Sequence, residues 1–352
     1  MQTLELLTNA VEKDTSDIFV VAGFPIIYKI SGNFVHVGEK LVPQGTEEII
    51  KGLYELESIS VHSIEKLYNT GDDDFSVSIP GISRFRINVY KQRGSYAAVI
   101  RVIKFELPRP EDLGIPDAVM DLANRRKGLV LVTGTAGSGK STTLACLIDK
   151  INKSRVGHIV TLEDPLEYLH THDKSIISQR EISTDTEGYV RALRASLRQA
   201  PDVVLLGEMR DHETISVAMT AAETGHLVFS TLHTVGAANT IDRVIDAFPP
   251  NQQNQIRIQL AMVLQAVVSQ QLIPTKDDKV TAAFEIMIAN NAVRNMIRES
   301  KIHQLDSVIQ SSASMGMLAM DASILNLYKK GIISDKDAMV HSVNTEMMAK
   351  RL

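Results

Sequence analysis

Gly134, Gly139, Lys140 and Ser141 fall in the spacing G-x-x-x-x-G-K-S within residues 129–144, LVLVTGTAGSGKSTTL. Leu129 to Thr133 are mostly apolar and read as a buried strand, and a helix-forming run follows. Between them, Gly134, Thr135, Ala136, Gly137, Ser138 and Gly139 form a loop that can turn its N–H groups inward around a phosphate, an approach that a Cβ would block. In that pattern Lys140 reaches the β- and γ-phosphates and Ser141 holds Mg²⁺. The helix that opens through Lys140, Ser141 and Thr142 adds its positive dipole end. The stretch reads as a site for a nucleotide triphosphate with Mg²⁺.

Phosphate chemistry also needs a group to orient water and groups to neutralise charge. The strand His158–Leu162 ends in Glu163-Asp164-Pro165, two carboxylates at a strand end, although that tripeptide also makes an ordinary turn. Val203–Leu206 is a buried strand ending in Gly207-Glu208, like a Walker B segment with glycine in place of the usual aspartate. Glu208 is then the carboxylate left for Mg²⁺ or its waters. His226 and His233 bracket the strand Leu227–Ser230, which suggests two imidazoles at the mouth of the site. Arg191, Arg194 and Arg198 share a face of a helix over 186–199, and Pro201-Asp202 stop it before the Walker B strand. That places Arg194 and Arg198 near the same sheet edge. In Arg84–Tyr90, alternation sets Arg84, Arg86 and Asn88 opposite Phe85, Ile87 and Val89. Arg101 interrupts the apolar set Ala97, Val99 and Ile103. By pattern alone, these arginines suit either a solvated sheet face or a phosphate contact.

The elements that must position these groups fall into two sets. Up to about Leu107, a short amphipathic helix, strands such as Phe75–Ile79, Arg84–Tyr90 and Tyr96–Ile103, and helices near 49–56 and 64–68 describe an α+β domain with an antiparallel sheet. Pro108 and Pro110 stiffen a connection over 108–114. From Ile115 strands and helices alternate, the pattern of a parallel sheet with crossover helices, and ligands there sit beyond the carboxyl ends of the strands. Pro249–Ile273 reads as helical, with Ile256, Leu260, Val263, Leu264, Val267 and Val268 at spacings of three and four. Val280–Ile288 is strand-like, and short helices follow, with Met315, Met317, Met320, Met347 and Met348 as core filling.

A net charge of −5 leaves no footprint for nucleic acid. The one cysteine, Cys146, excludes an internal disulfide or a tetracysteine zinc site. No apolar run is long enough to span a membrane and no signal pattern opens the chain, so a cytoplasmic location is expected.

Residues 134–142, 162–168 (LEDPLEY), 197–203 (LRQAPDV), 207–211 (GEMRD), 224–226 (TGH), 230–234 (STLHT) and 248–250 (FPP) resemble the secretion-type ATPases of type II secretion systems and type IV pili. Residues 84–101, and Ala292–Glu299, which is similar to the AIRNLIRE motif, resemble the pilus retraction branch of that family. The resemblance implies a PAS-like α+β domain over 1–107, a linker over 108–114, and a RecA-like P-loop NTPase domain over 115–352 with core 115–288 and C-terminal helices 289–352. It implies a hexameric ring that hydrolyses ATP to power pilus retraction and twitching motility at the inner face of the cytoplasmic membrane. Expected partners are an inner-membrane platform protein and a second retraction ATPase, with no nucleic acid. Carried over by position, Glu163 orients water, Glu208 is the Walker B carboxylate, and His226 and His233 are the His-box pair. Arg86 and Arg101 contact the γ-phosphate, Arg194 and Arg198 precede Walker B, and Arg294, Arg298 and Glu299 couple to partners.

Three departures stand out. Thr135-Ala136 replace Pro-Thr, Ala200 stands where relatives often carry Asp, and Val293 and Met296 replace Ile and Leu. An accessory retraction ATPase, an assembly or secretion ATPase, a nucleotide-binding scaffold without turnover and a nucleic-acid motor are the alternatives. The lone cysteine and short N-terminal domain disfavour the assembly branch, and paired Glu163 and Glu208 disfavour the scaffold.

Overall fold

The computed structural model describes residues 3–30, 32–56, 62–103, 107–277 and 279–352. The chain forms two compact units, Met1–Glu106 with Glu167–Leu169, and Leu107–Leu166 with His170–Leu352.

The first unit is built on six antiparallel strands: β1 (Thr15–Val20), β2 (Ile26–Ile30), β3 (Asn33–Val37), β4 (Asp72–Ile79), β5 (Ser83–Gln92) and β6 (Ser95–Ile103). Their order is β3-β2-β1-β6-β5-β4. Alternation gives β1, β5 and β6 an apolar face, and Ile18, Val20, Phe85, Ile87, Val89, Ala98 and Ile100 bury theirs with Leu6, Leu7, Ile49, Ile50 and Leu53 from helices Thr3–Glu12 and Pro43–Glu55. The core set of β6 is Ala98, Ile100 and Val102, and Arg101 lies on the other face, where it interrupts Ala97, Val99 and Ile103 as expected.

The second unit holds seven strands: β7 (Gly128–Thr133), β8 (Gly157–Glu163), β9 (Ser175–Glu181), β10 (Val203–Leu206), β11 (Leu227–Leu232), β12 (Leu264–Pro274) and β13 (Val280–Ile288). Their order is β13-β12-β7-β11-β10-β8-β9, parallel except for β13, which pairs antiparallel with β12. Separate hydrophobic cores fill the two sheet faces. One contains helix Lys140–Ser154, and the other contains Ala192 and Leu193 of helix Tyr189–Ser196 with helix His212–Glu223.

The helix expected over Pro249–Ile273 is half strand. Helix Pro250–Val263 ends and the chain enters β12 directly. A strand buried on both faces shows a near-continuous apolar run, which spacing alone does not separate from a helix. Strand β9 was not legible either, because its pattern mixes apolar and charged residues at a sheet edge. Met317, Met320 and Met348 fill the core as expected, whereas Met315 and Met347 are exposed. Among the described residues no helix is long and apolar enough to cross a membrane.

Candidate functional site

The loop between β7 and helix Lys140–Ser154 is shaped by contacts from far along the chain. Gly134 adopts φ +143°, and a Cβ there would lie 2.2 Å from the Gln270 carbonyl oxygen and 2.6 Å from Ser138 Oγ. Gly139, at φ +86°, caps the helix in a conformation that disfavours any side chain. The Lys140 ammonium donates to the carbonyls of Gly134 and Thr135, each at 2.9 Å. Gln270 on β12 is only 2% exposed. Its Nε2 donates to the Ser138 carbonyl at 2.6 Å and its Oε1 accepts from Thr143 Oγ1 at 2.9 Å. Sequence patterns did not single out Gln270; its one signal was a polar pair, Gln270-Gln271, within an apolar run.

Parallel pairing places the other groups on the same sheet edge. Thr133 pairs with Leu232, Ser230 with Leu206, and Leu206 with Leu162. The loop after β7, His233 after β11, Glu208 beyond β10 and Glu163 at the end of β8 therefore stand side by side at carboxyl ends, about 4.8 Å apart per strand. Glu208 is held between two neighbours, with Oε1 at 2.5 Å from Arg210 Nη2 and Oε2 at 3.4 Å from His233 Nε2. Arg210 was not among the expected site residues, and this pairing raises its pKa. The loop is tied down by Thr231, whose Oγ1 donates to the Gly207 carbonyl at 2.6 Å.

Tyr189 accounts for the glycine in place of the Walker B aspartate. A Cβ on Gly207 would lie 2.9 Å from Tyr189 Oη, 3.2 Å from the Leu162 carbonyl and 3.4 Å from Glu163 Cα. Burial, then the carboxylates of Asp164, Glu208 and Glu163, push the phenol pKa well above its usual value. The phenol oxygen thus occupies the space beside Gly207 that a Cβ would need.

Several expected site residues lie elsewhere. His226 stands at the amino end of β11, where its carbonyl accepts from the Gly128 N–H at 2.9 Å and its Nδ1 lies 2.9 Å from the Ala221 carbonyl. Six strand residues separate it from His233, seven steps or roughly 23 Å at ~3.3 Å per residue, so the two do not meet at the mouth of the site. Helix Tyr189–Ser196 runs from the carboxyl edge, at Tyr189, toward the amino edge. There the Gln199 carbonyl meets His158 Nδ1 at 2.9 Å. Arg198 therefore sits at the far edge, and Arg194 is exposed and paired with Glu213 at 3.0 Å on the face opposite helix Lys140–Ser154. In the first unit, Arg86 and Arg101 are cross-strand neighbours, with Arg86 on Asp74 at 2.9 Å and Arg101 on Asp17 at 3.0 Å.

Arg294 is committed to structure. Its guanidinium donates to the Ala261 and Met262 carbonyls at 2.5 and 2.9 Å, satisfying the last turn of helix Pro250–Val263. Desolvation, then Arg298 and Arg125, lower its pKa. Arg298 and Glu299 are exposed, and Glu299 pairs with Lys301 at 2.7 Å.

The loop fits a nucleotide's phosphates. Its entrance is closed to a Cβ, and Ser138 Oγ is buried beside it with no hydrogen-bond partner. Thr135 and Ala136, the departures within the loop, are exposed. Among the described residues no three His, Cys, Asp or Glu side chains gather to hold a metal. Mg²⁺ at Ser141 and Glu208 would need phosphate oxygens and water to complete its shell, as is usual for that ion.

Residues 3–316 match the type II/IV secretion system protein family. The chain is 42% identical over 339 residues to the type IV pilus retraction ATPase PilT of Pseudomonas aeruginosa, covering 96% of this chain and 97% of that one. It is 37% identical to the type IV pilus ATPase PilU of the same organism, covering 97% and 89%. The crystal structure of the pilus retraction motor PilT with bound ADP superimposes at a TM-score of 0.91 and 44% identity, over 99% of both chains. The chain belongs to the type II/IV secretion system protein family.

Proposed function

We propose that this chain is a Mg²⁺-dependent ATPase motor that powers retraction of type IV pili. The full-length likeness to a retraction ATPase, first unit included, carries that reading, since a shared nucleotide core alone would fit any secretion ATPase. Phosphoryl transfer is largely a matter of position and charge. Main-chain N–H groups of residues 134–142 bind the phosphates, and the Lys140 ammonium exchanges loop carbonyls for phosphate oxygens. Ser141 and Glu208 would hold Mg²⁺, which would supply charge neutralisation at the phosphates. The Glu163 carboxylate orients and polarises the attacking water. His233, on the same edge and in contact with Glu208, is placed to register the γ-phosphate.

Arg86 and Arg101 of the first unit are γ-phosphate contacts, paired in this structure with Asp74 and Asp17. Arg194 and Arg198, remote from their own loop, serve the nucleotide of a neighbour in a hexameric ring. His226 and Arg294 have structural roles. Arg298 and Glu299 face a membrane platform protein, and the motor works on the cytoplasmic side.

Deleting the gene and imaging pili tests the reading. Excess surface pili that do not retract are the expected result, and loss of pili would overturn it in favour of an assembly motor. The likeness to PilU keeps an accessory role as the second reading. Retraction that survives deletion, and stops only when another retraction ATPase is removed, would favour it.

A further inference from the structure

Gln270 and Gln271 are adjacent on β12 and turn to opposite faces of the strand. Gln271 Nε2 donates to the His341 carbonyl at 3.0 Å, on the side of the C-terminal helices. Gln270 turns to the phosphate loop, with both ends of its buried amide satisfied there by Ser138 and Thr143. Its main-chain carbonyl lies under Gly134, and its Nε2 lies 3.0 Å from where a Gly139 Cβ would be. One residue thus supports the start of the loop, its last peptide and the first turn of the helix.

We propose that Gln270 is a positioning residue that sets the phosphate cradle before nucleotide arrives, an inference that rests on the ATPase reading above. In a trans peptide the C=O and N–H point in opposite directions. The Gln270 amide draws the Ser138 carbonyl toward β12, which turns the Gly139 N–H away from β12 and into the concave side of the loop. The Thr143 contact holds the helix N-terminus at a fixed distance from that peptide. Donors aimed in advance need no reorganisation when the anion binds. Their contact with the phosphates is the same before and during hydrolysis, so losing it weakens nucleotide binding rather than slowing the chemical step.

Steady-state phosphate release by the assembled full-length protein, with Gln270→Met and Gln270→Glu, tests this. Methionine removes both hydrogen bonds at similar length, and glutamate keeps the acceptor for Thr143 but loses the donor to Ser138. Both are expected to raise KM for ATP about tenfold or more with kcat within about twofold, and to weaken ADP binding in calorimetry by the same factor. A KM within about threefold of the parent overturns the proposal. So does a fall in kcat larger than the rise in KM, which a smaller folded fraction would produce. Should the methionine variant be insoluble, the glutamate variant decides alone. If the parent releases no phosphate, the ATPase reading fails, while the ADP comparison still decides the role of Gln270.

Discussion

Replacing Gly207 by alanine tests why the Walker B strand ends without its aspartate. The new Cβ would sit 2.9 Å from Tyr189 Oη and 3.2 Å from the Leu162 carbonyl, against an ordinary contact of 3.4–4 Å. The phenol must retreat by roughly half an ångström into a filled site, and overpacking of this kind costs about 1–3 kcal/mol. At about 2–4 °C per kcal/mol for a unit of this size, the melting midpoint should fall by roughly 2–12 °C. Tyr189→Phe removes the atom in closest contact. In that background the alanine penalty should shrink by about half or more, a coupling near 1 kcal/mol. Gly207→Asp should cost more than alanine, because it adds a carboxylate beside Glu163, Asp164 and Glu208. The chain has no tryptophan, so thermal and urea unfolding followed by circular dichroism are the assays. Stability unchanged in Gly207→Ala, or a penalty that is the same with tyrosine or phenylalanine at 189, would refute the steric explanation.

Glu163→Gln should lower kcat by about 10²–10⁴ while leaving ADP affinity unchanged, and hydrolysis at the parent rate would remove Glu163 from the water-orienting role. His233→Ala should impair hydrolysis whereas His226→Ala should not, since only His233 reaches the carboxyl edge; equal effects in a phosphate-release assay would contradict that placement. Burial lowers the His170 pKa to about 4, so the unfolded chain binds the proton first, and stability should be full above about pH 6.5 and decline as the pH falls toward 4. The loss should reach about 3 kcal/mol at most, and His170→Gln should flatten the urea midpoint across that window; an unchanged slope would be the contrary result.

The phosphate loop was legible because its chemistry is local. Glycine spacing, a lysine and a flanking strand and helix are all set within sixteen residues. Glu163, Glu208 and His233 were legible for a related reason, since each follows an apolar run that must be a strand, and parallel strands present their carboxyl ends together. The same logic failed for His226, because a histidine before a strand and one after it look alike in a motif but lie at opposite edges. Arg294 and Arg298 share a motif, yet one caps a neighbouring helix and the other is exposed, a difference set by which helix end packs beside them.

What the sequence determined by itself was the loop, the alternation of strands and helices, and the family resemblance. Only the tertiary structure decided that β12 is a strand, that it lies beside β7, and that Gln270 therefore supports a loop more than a hundred residues earlier in the chain. It also decided that Tyr189 closes the space beside Gly207 to a side chain. Backbone turns and apolar periodicity are short-range consequences of residue type, whereas the partner of a buried amide or phenol depends on sheet order, which no local pattern encodes.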